Sequence, residues 1–190
     1  MKVYSLHADM EKFSIFLWKD KGGGYDENFI IQMGRRDGQP FGASYTPQEF
    51  MLERSDTGKL NYKMDISTFT SSFIIFSEKA VAIFKEILEQ TGEILPIITP
   101  SKQKTFFGFH PTLRLKNCVN WEESIYTEYP NGKRQLRKIV LLEDALPETS
   151  LFMIEEAPTT VFVTDIFKKL VEKSDLKGFD FSREIELSNK

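Results

Sequence analysis

Three side chains could do chemistry near neutral pH: His7, His110 and Cys118, the only histidines and the only cysteine of a 190-residue chain. A histidine can move a proton or hold a metal and a cysteine can attack as thiolate, but each needs partners at a suitable spacing. His7-Ala8-Asp9 would set two potential metal ligands on one face of a strand, and two are too few for a closed site. His110 and Cys118 could in principle pair as base and nucleophile. No motif joins them, and a free cysteine is more often a small buried hydrophobe. Gly22-Gly23-Gly24 lacks the Lys-Ser/Thr and the following helix of a nucleotide-binding loop, so it is read as a hairpin turn. The basic run Lys133-Arg134-Gln135-Leu136-Arg137-Lys138 would alternate between the faces of a strand, which suits a charge-protected sheet edge better than a nucleic-acid track. The expectation is a protein with no catalytic residue, no metal site and no cofactor.

One charge feature exceeds background. Between Ile139 and Phe167 the chain carries Glu143, Asp144, Glu148, Glu155, Glu156 and Asp165 and no Lys or Arg. Such a stretch can be an ordinary solvated surface, or it can occupy the cationic cleft of an enzyme that acts on anions and speed its capture. Glu143, Asp144, Glu148, Glu155 and Glu156 are therefore the candidate partner-binding residues. Glu155 and Glu156 form a separate set, because Pro158 and the strand at Val161 can turn them to another side.

Composition bounds the alternatives. With 41% hydrophobic residues and 17 Phe, the chain can bury one sizeable core or two small ones, so disorder is not expected. A formal net charge of -3 gives no global positive field for nucleic acid or an anionic membrane. One cysteine permits no intrachain disulfide, which suits a reducing compartment. The apolar cluster at Phe13 to Trp18 is short for a signal-peptide core, and no apolar run reaches bilayer length. A cytoplasmic protein without a membrane span is expected.

The elements that must position these residues sharpen along the chain. Residues 1–65 read as an amino-terminal lobe: short strands at Val3 to Leu6, Phe13 to Trp18 and Phe29 to Met33, then Gly- and Asp-rich loops around Pro47 to Leu52. Phe73 to Phe76 is a buried strand, Ser77 an N-cap, and Ala80, Ile83, Phe84, Ile87 and Leu88 the apolar stripe of a helix. Gly92 should stop that helix in the left-handed conformation before a strand at Ile94 to Ile98. Ile125 to Tyr129 and Lys133 to Leu142 flank Pro130-Asn131-Gly132 as a hairpin. Val161 to Val163 is followed by cap candidates Thr164 and Asp165, the stripe Ile166, Phe167, Leu170 and Val171, and Gly178. Phe179, Phe181, Ile185 and Leu187 then alternate with polar residues as one last strand. Two strand-helix units could reflect a duplication, but short apolar runs recur by chance, and chance recurrence is the reading taken. The predicted fold is α+β, a mixed or mainly antiparallel sheet with at least two packed helices, with 66–190 as the main domain.

Phe73-Ile74-Ile75-Phe76-Ser77-Glu78-Lys79-Ala80, Ile94-Leu95-Pro96-Ile97 and Cys118-Val119-Asn120-Trp121-Glu122-Glu123-Ser124 resemble successive blocks of one bacterial immunity-protein family. The order continues through Leu151 to Ile154, Val161 to Lys168 and Leu176 to Phe181. The family is typified by a myxobacterial protein and found beside polymorphic toxin genes. The resemblance spans about 66–187 and implies a protein that neutralises a cognate protein toxin by binding it. It supplies no catalytic residue, and this chain has Asn120 where many members carry Asp. An enzyme working in a cleft between two lobes and a general protein-binding adaptor are the alternatives.

Overall fold

The computed structural model describes residues 1–19, 38–68 and 72–189. The Gly22 to Gly24 turn and the strand at Phe29 to Met33 lie outside them. Two six-stranded sheets dominate the fold. In chain order the strands are β1 (Val3–Ser5), β2 (His7–Ala8), β3 (Ile15–Trp18), β4 (Gln48–Glu53), β5 (Ile66–Ser67), β6 (Ile74–Ser77), β7 (Gly92–Ile98), β8 (Phe106–Pro111), β9 (Arg114–Leu115), β10 (Ile125–Glu128), β11 (Arg134–Lys138), β12 (Val140–Leu142), β13 (Leu151–Ile154), β14 (Val161–Thr164), β15 (Phe179–Asp180) and β16 (Glu184–Ser188). Helix α1 (Glu78–Thr91) follows β6 and α2 (Asp165–Lys173) follows β14. One sheet runs β12-β16-β1-β14-β13-β9 and the other β3-β4-β7-β8-β6-β5. Both are mixed, with parallel pairs at β12/β16, β13/β9 and β4/β7. The α+β class with two packed helices is observed.

The two sheets share a topology. Read as β4-β7-β8-β6-β5 and β12-β16-β1-β14-β13, they have the same order and the same sense at every step. Register agrees to the residue. Ser77 faces Phe106 and Thr164 faces Val3. The Ser77 N–H donates to the Asp65 carbonyl and the Thr164 N–H to that of Ser150, each at 3.0 Å. The first helical amides match too: Glu78 donates to Thr105 O at 3.0 Å and Asp165 to Lys2 O at 2.9 Å. His110 and His7, four residues beyond Phe106 and Val3, therefore occupy equivalent positions. In one unit the central strand β8 follows β7; in the other it is β1. Residues 1–65 are accordingly shared between the sheets, with β1 inside one and β3 and β4 on the flank of the other.

Local chemistry explains where the elements start and stop, and corrects three expectations. Ser77 Oγ accepts from the Ala80 amide at 3.2 Å, as an N-cap should. Gly92, however, is extended (φ 178°) and not left-handed. A Cβ there would lie 2.3 Å from the His110 carbonyl oxygen and 2.7 Å from the Phe109 ring, so close strand approach is what demands glycine. The last strand is not continuous. β15 pairs with β2 and β16 with β1, and the pairings Tyr4/Glu184 and His7/Asp180 leave one extra residue in 181–183. The Ser182 amide turns back onto Asp180 Oδ1 at 2.8 Å. Such a bulge switches faces, so Phe179 and Phe181 pack with the helices while Ile185 and Leu187 pack on the opposite side of the sheet. In α2, Phe167 and Val171 are buried, but Ile166 is exposed.

The central core joins both helices and both sheets: Phe76, Ala80, Phe84, Leu88, Phe109, Val163, Phe167 and Val171 belong to one cluster. Phe84 stacks on Phe167 with ring centroids 4.3 Å apart. A second cluster around Phe16, Phe50, Phe73 and Phe106 lies under β3 and β4, and a third around Cys118, Leu141, Phe152 and Phe162 under the 118–142 segment.

Candidate functional site

The acidic run is split by the fold. β12 lies parallel to β16, so the chain leaves β12 at the end of the sheet where β1 starts, and Glu143–Ala145 turns there as a short 3-10 segment. Glu143 Oε1 is 3.2 Å from the Met1 amino group. Asp144 and Glu148 are exposed, and Glu148 is separated by one residue from Ser150, whose carbonyl binds the Thr164 amide at this same end. Pairing adds carboxylates the sequence reading did not include. Glu184 and Glu186 of β16 border a groove of about 400 Å³ with Met1, Lys2 and Glu143. Asp165, already part of the acidic run, accepts the Lys2 amide at 3.2 Å.

Cations answer part of this charge. Lys2 meets Glu184 at 2.9 Å, Lys138 meets Glu186 at 2.6 Å and Lys169 meets Asp165 at 2.7 Å. The Lys169 hydrogen bond, followed by that from the Lys2 amide, holds the Asp165 carboxyl below its ordinary range. Asp144 and Glu148 remain in excess, which keeps this end anionic. Exposed pairs of this kind contribute little to stability, so they are free to serve recognition.

Glu155 and Glu156 sit beyond the other end of β13, separated from Glu148 by a four-residue strand, or roughly 13 Å of extended chain. Glu155 pairs with Lys116 at 2.9 Å. One Glu156 oxygen is shut away from solvent without a hydrogen-bond partner. Its charge acts, after burial, on Cys118, whose thiol is pushed up to about 11. Fully buried and protonated, Cys118 is a core residue in this conformation. His110 has different surroundings: its Nε2 lies 3.0 Å from the Gln39 carbonyl oxygen and its ring leans on Phe41. His7 Nε2 contacts Ser5 Oγ, and Asp9 binds Lys12, so these two potential ligands are turned to separate partners. Among the described residues no group of three or more His, Cys, Asp or Glu side chains is placed to hold a metal ion. No helix among them is long and apolar enough to cross a membrane.

A second exposed feature is the hairpin β10/β11, a two-stranded sheet outside both large ones. Gly132, at φ 76°, supplies the positive torsion of its turn, and the Gly132 amide donates to Tyr129 O at 2.9 Å. A free hairpin is marginal, and here one face is braced. The Arg134 guanidinium lies over Tyr126 and Trp121 at 4.8 and 5.1 Å and pairs with Glu128 at 2.9 Å. Asn120 fixes the approach: its Oδ1 accepts the amides of Glu122 and Glu123 and its Nδ2 donates to Glu123 and Ser188. Those donated bonds require an amide, which is the physical consequence of Asn at this position. No family model matches this chain, and no curated protein matches it.

Proposed function

We propose that this chain is a cytoplasmic immunity-type protein that binds a cognate protein toxin and neutralises it by occlusion, without catalysing a reaction. The ordered blocks that resemble the immunity family motivate the reading. The observation that carries it is the convergence of Glu143, Asp144 and Glu148 with Glu184 and Asp165 at one end of a sheet. An anionic end of this kind complements the basic cleft of a toxin that attacks an anionic substrate, and its field raises the capture rate.

Reversing Glu143, Asp144 and Glu148 to Lys is expected to slow association with the neighbouring gene's toxin domain at least tenfold at low salt. It should also flatten the salt dependence of the rate. Unfolding midpoints should move little, because Asp144 and Glu148 are exposed and the Glu143 pair is exposed in part. Stopped-flow association and survival of toxin-expressing cells read the two effects. Unchanged association and protection would remove the acidic end from the interface.

A further inference from the structure

The outer edge of β10 is an open strand with a self-complementary register. In the hairpin the Tyr129 amide donates to Lys133 O at 2.8 Å, so residues 125, 127 and 129 aim their backbone groups at β11. By alternation the N–H and C=O of Tyr126 and Glu128 point away, and no described strand pairs with them. The register shift in this hairpin falls on the β11 side, where Arg137 is the extra residue, so β10 itself is regular. Natural edges are usually protected by Lys, Pro or a bulge. β11 carries such charges, whereas the β10 segment Ile125-Tyr126-Thr127-Glu128-Tyr129 has one charged residue, Glu128, already paired with Arg134 on the braced face. Ile125 and Tyr129, on the opposite face with Thr127, are 58% and 44% exposed.

We infer that this edge pairs with the same edge of a second copy of the chain, as an antiparallel two-fold junction centred on Thr127. That register sets Thr127 against its counterpart, Ile125 against the partner's Tyr129, and Tyr126 against the partner's Glu128. The exposed apolar side chains cover one another twice, and no like charges meet. Centring the junction on Glu128 instead would oppose two carboxylates, so charge selects the Thr127 register. The outward groups of Tyr126 and Glu128 form the new hydrogen bonds, and the β10/β11 ladder stays intact. Five residues bury less than the roughly 1,200 Å² of a standard interface, so the dimer is weak and assembles at concentrations on the order of 100 micromolar.

Sedimentation equilibrium across about 10 micromolar to 1 millimolar tests this. The wild-type mass should rise from one chain towards two. Thr127→Lys and Thr127→Glu each oppose like charges about 4.5 Å apart between Cα atoms and should each weaken self-association at least tenfold. An equimolar mixture of the two should restore it. Thr127 is exposed, and circular dichroism of each variant alone should match wild type. Amide exchange adds a second readout: protection at Tyr126 and Glu128 should grow with concentration while Thr127 and Tyr129 stay constant. A wild-type chain that remains monomeric to 1 millimolar overturns the proposal. So does a dimer indifferent to both substitutions, which would place the contact elsewhere, and so does an edge that pairs only when a toxin strand is supplied.

Discussion

The two topologically equivalent units begin their helices in different ways. In the first, Asp65 lies beside the cap and knots four segments together. Its Oδ1 accepts from Ser77 Oγ at 2.6 Å and from Lys104 Nζ at 2.7 Å, and its Oδ2 accepts the Lys177 amide at 2.9 Å. Lys104 also donates to the Met64 carbonyl at 2.7 Å. In the second unit Ser150 stands where Asp65 stands, and the Thr164 hydroxyl, though 1% exposed, has no partner. Helix α2 is held instead by packing and by Asp165 in its first turn. Side-chain sizes are exchanged as well. Three residues after the cap the units carry Ala80 and Phe167, and seven after it Phe84 and Val171, all buried. The two large residues, one from each helix, stack on each other within the shared core, so the large and small positions are interchanged between the units.

The largest expected effect breaks that exchange. Phe84 is fully buried and stacks on Phe167, so Phe84→Ala should cost about 3–5 kcal/mol, read from urea denaturation. If the two helices pack as a unit, Phe167→Ala should cost a similar amount, and the double variant less than the sum. Strict additivity would mean that the stack couples nothing.

Next is the polar knot. Asp65→Asn keeps the shape but removes the charge facing Lys104, and because an amide has one oxygen, its NH2 must face the donors at one of the two carboxylate positions, either Ser77 and Lys104 or the Lys177 amide. The expected cost is about 2–3 kcal/mol, below that of a wholly buried pair because the Lys104 side chain is 26% exposed. Burial alone would raise the Asp65 carboxyl; hydrogen bonds from Lys104, Ser77 and the Lys177 amide outweigh it and hold it below its ordinary value. Because the folded pKa is depressed, the contribution is complete above the unfolded value of about 4 and is lost as pH falls through the folded one. Asp65→Asn should therefore flatten the acid limb of the stability profile and leave the limb above pH 6 parallel to wild type. An unchanged acid limb would mean that another carboxylate governs it.

How much of this was legible follows from which interactions are local. The Ser77 cap, the turn at Gly132 and the stripe Ala80, Phe84 and Leu88 involve neighbours within a few residues, and sequence spacing carries them. Gly92 was legible as necessary but not for its reason, since the atoms that exclude a Cβ belong to Phe109 and His110 on another strand. The bulge at 181–183 escaped because alternation counts residues and cannot see a change of partner. The shared topology of the two sheets hid behind exchanged residue sizes and behind a central strand supplied by residues 3–5. At the acidic end, Glu143, Asp144 and Glu148 were visible as a run without cations, but Glu184 and Glu186 join them only through the long-range parallel pairing of β12 with β16.

The smallest expected effect sharpens the comparison most. Thr164 occupies the N-cap position but makes no side-chain cap hydrogen bond, and its hydroxyl is buried without a partner. Thr164→Val removes that hydroxyl while keeping the branched shape. A buried hydroxyl without a partner carries a desolvation cost that nothing offsets, so the variant should be neutral or more stable by up to about 1 kcal/mol. At the equivalent position Ser77→Ala removes both a cap and a donor to Asp65, and should cost about 1–2 kcal/mol. Paired thermal and urea melts of the two variants give opposite signs if the first helix is started by side-chain hydrogen bonds and the second by packing. Loss of similar size in both would show that Thr164 caps α2 through an ordered water, and the two units would then begin their helices alike.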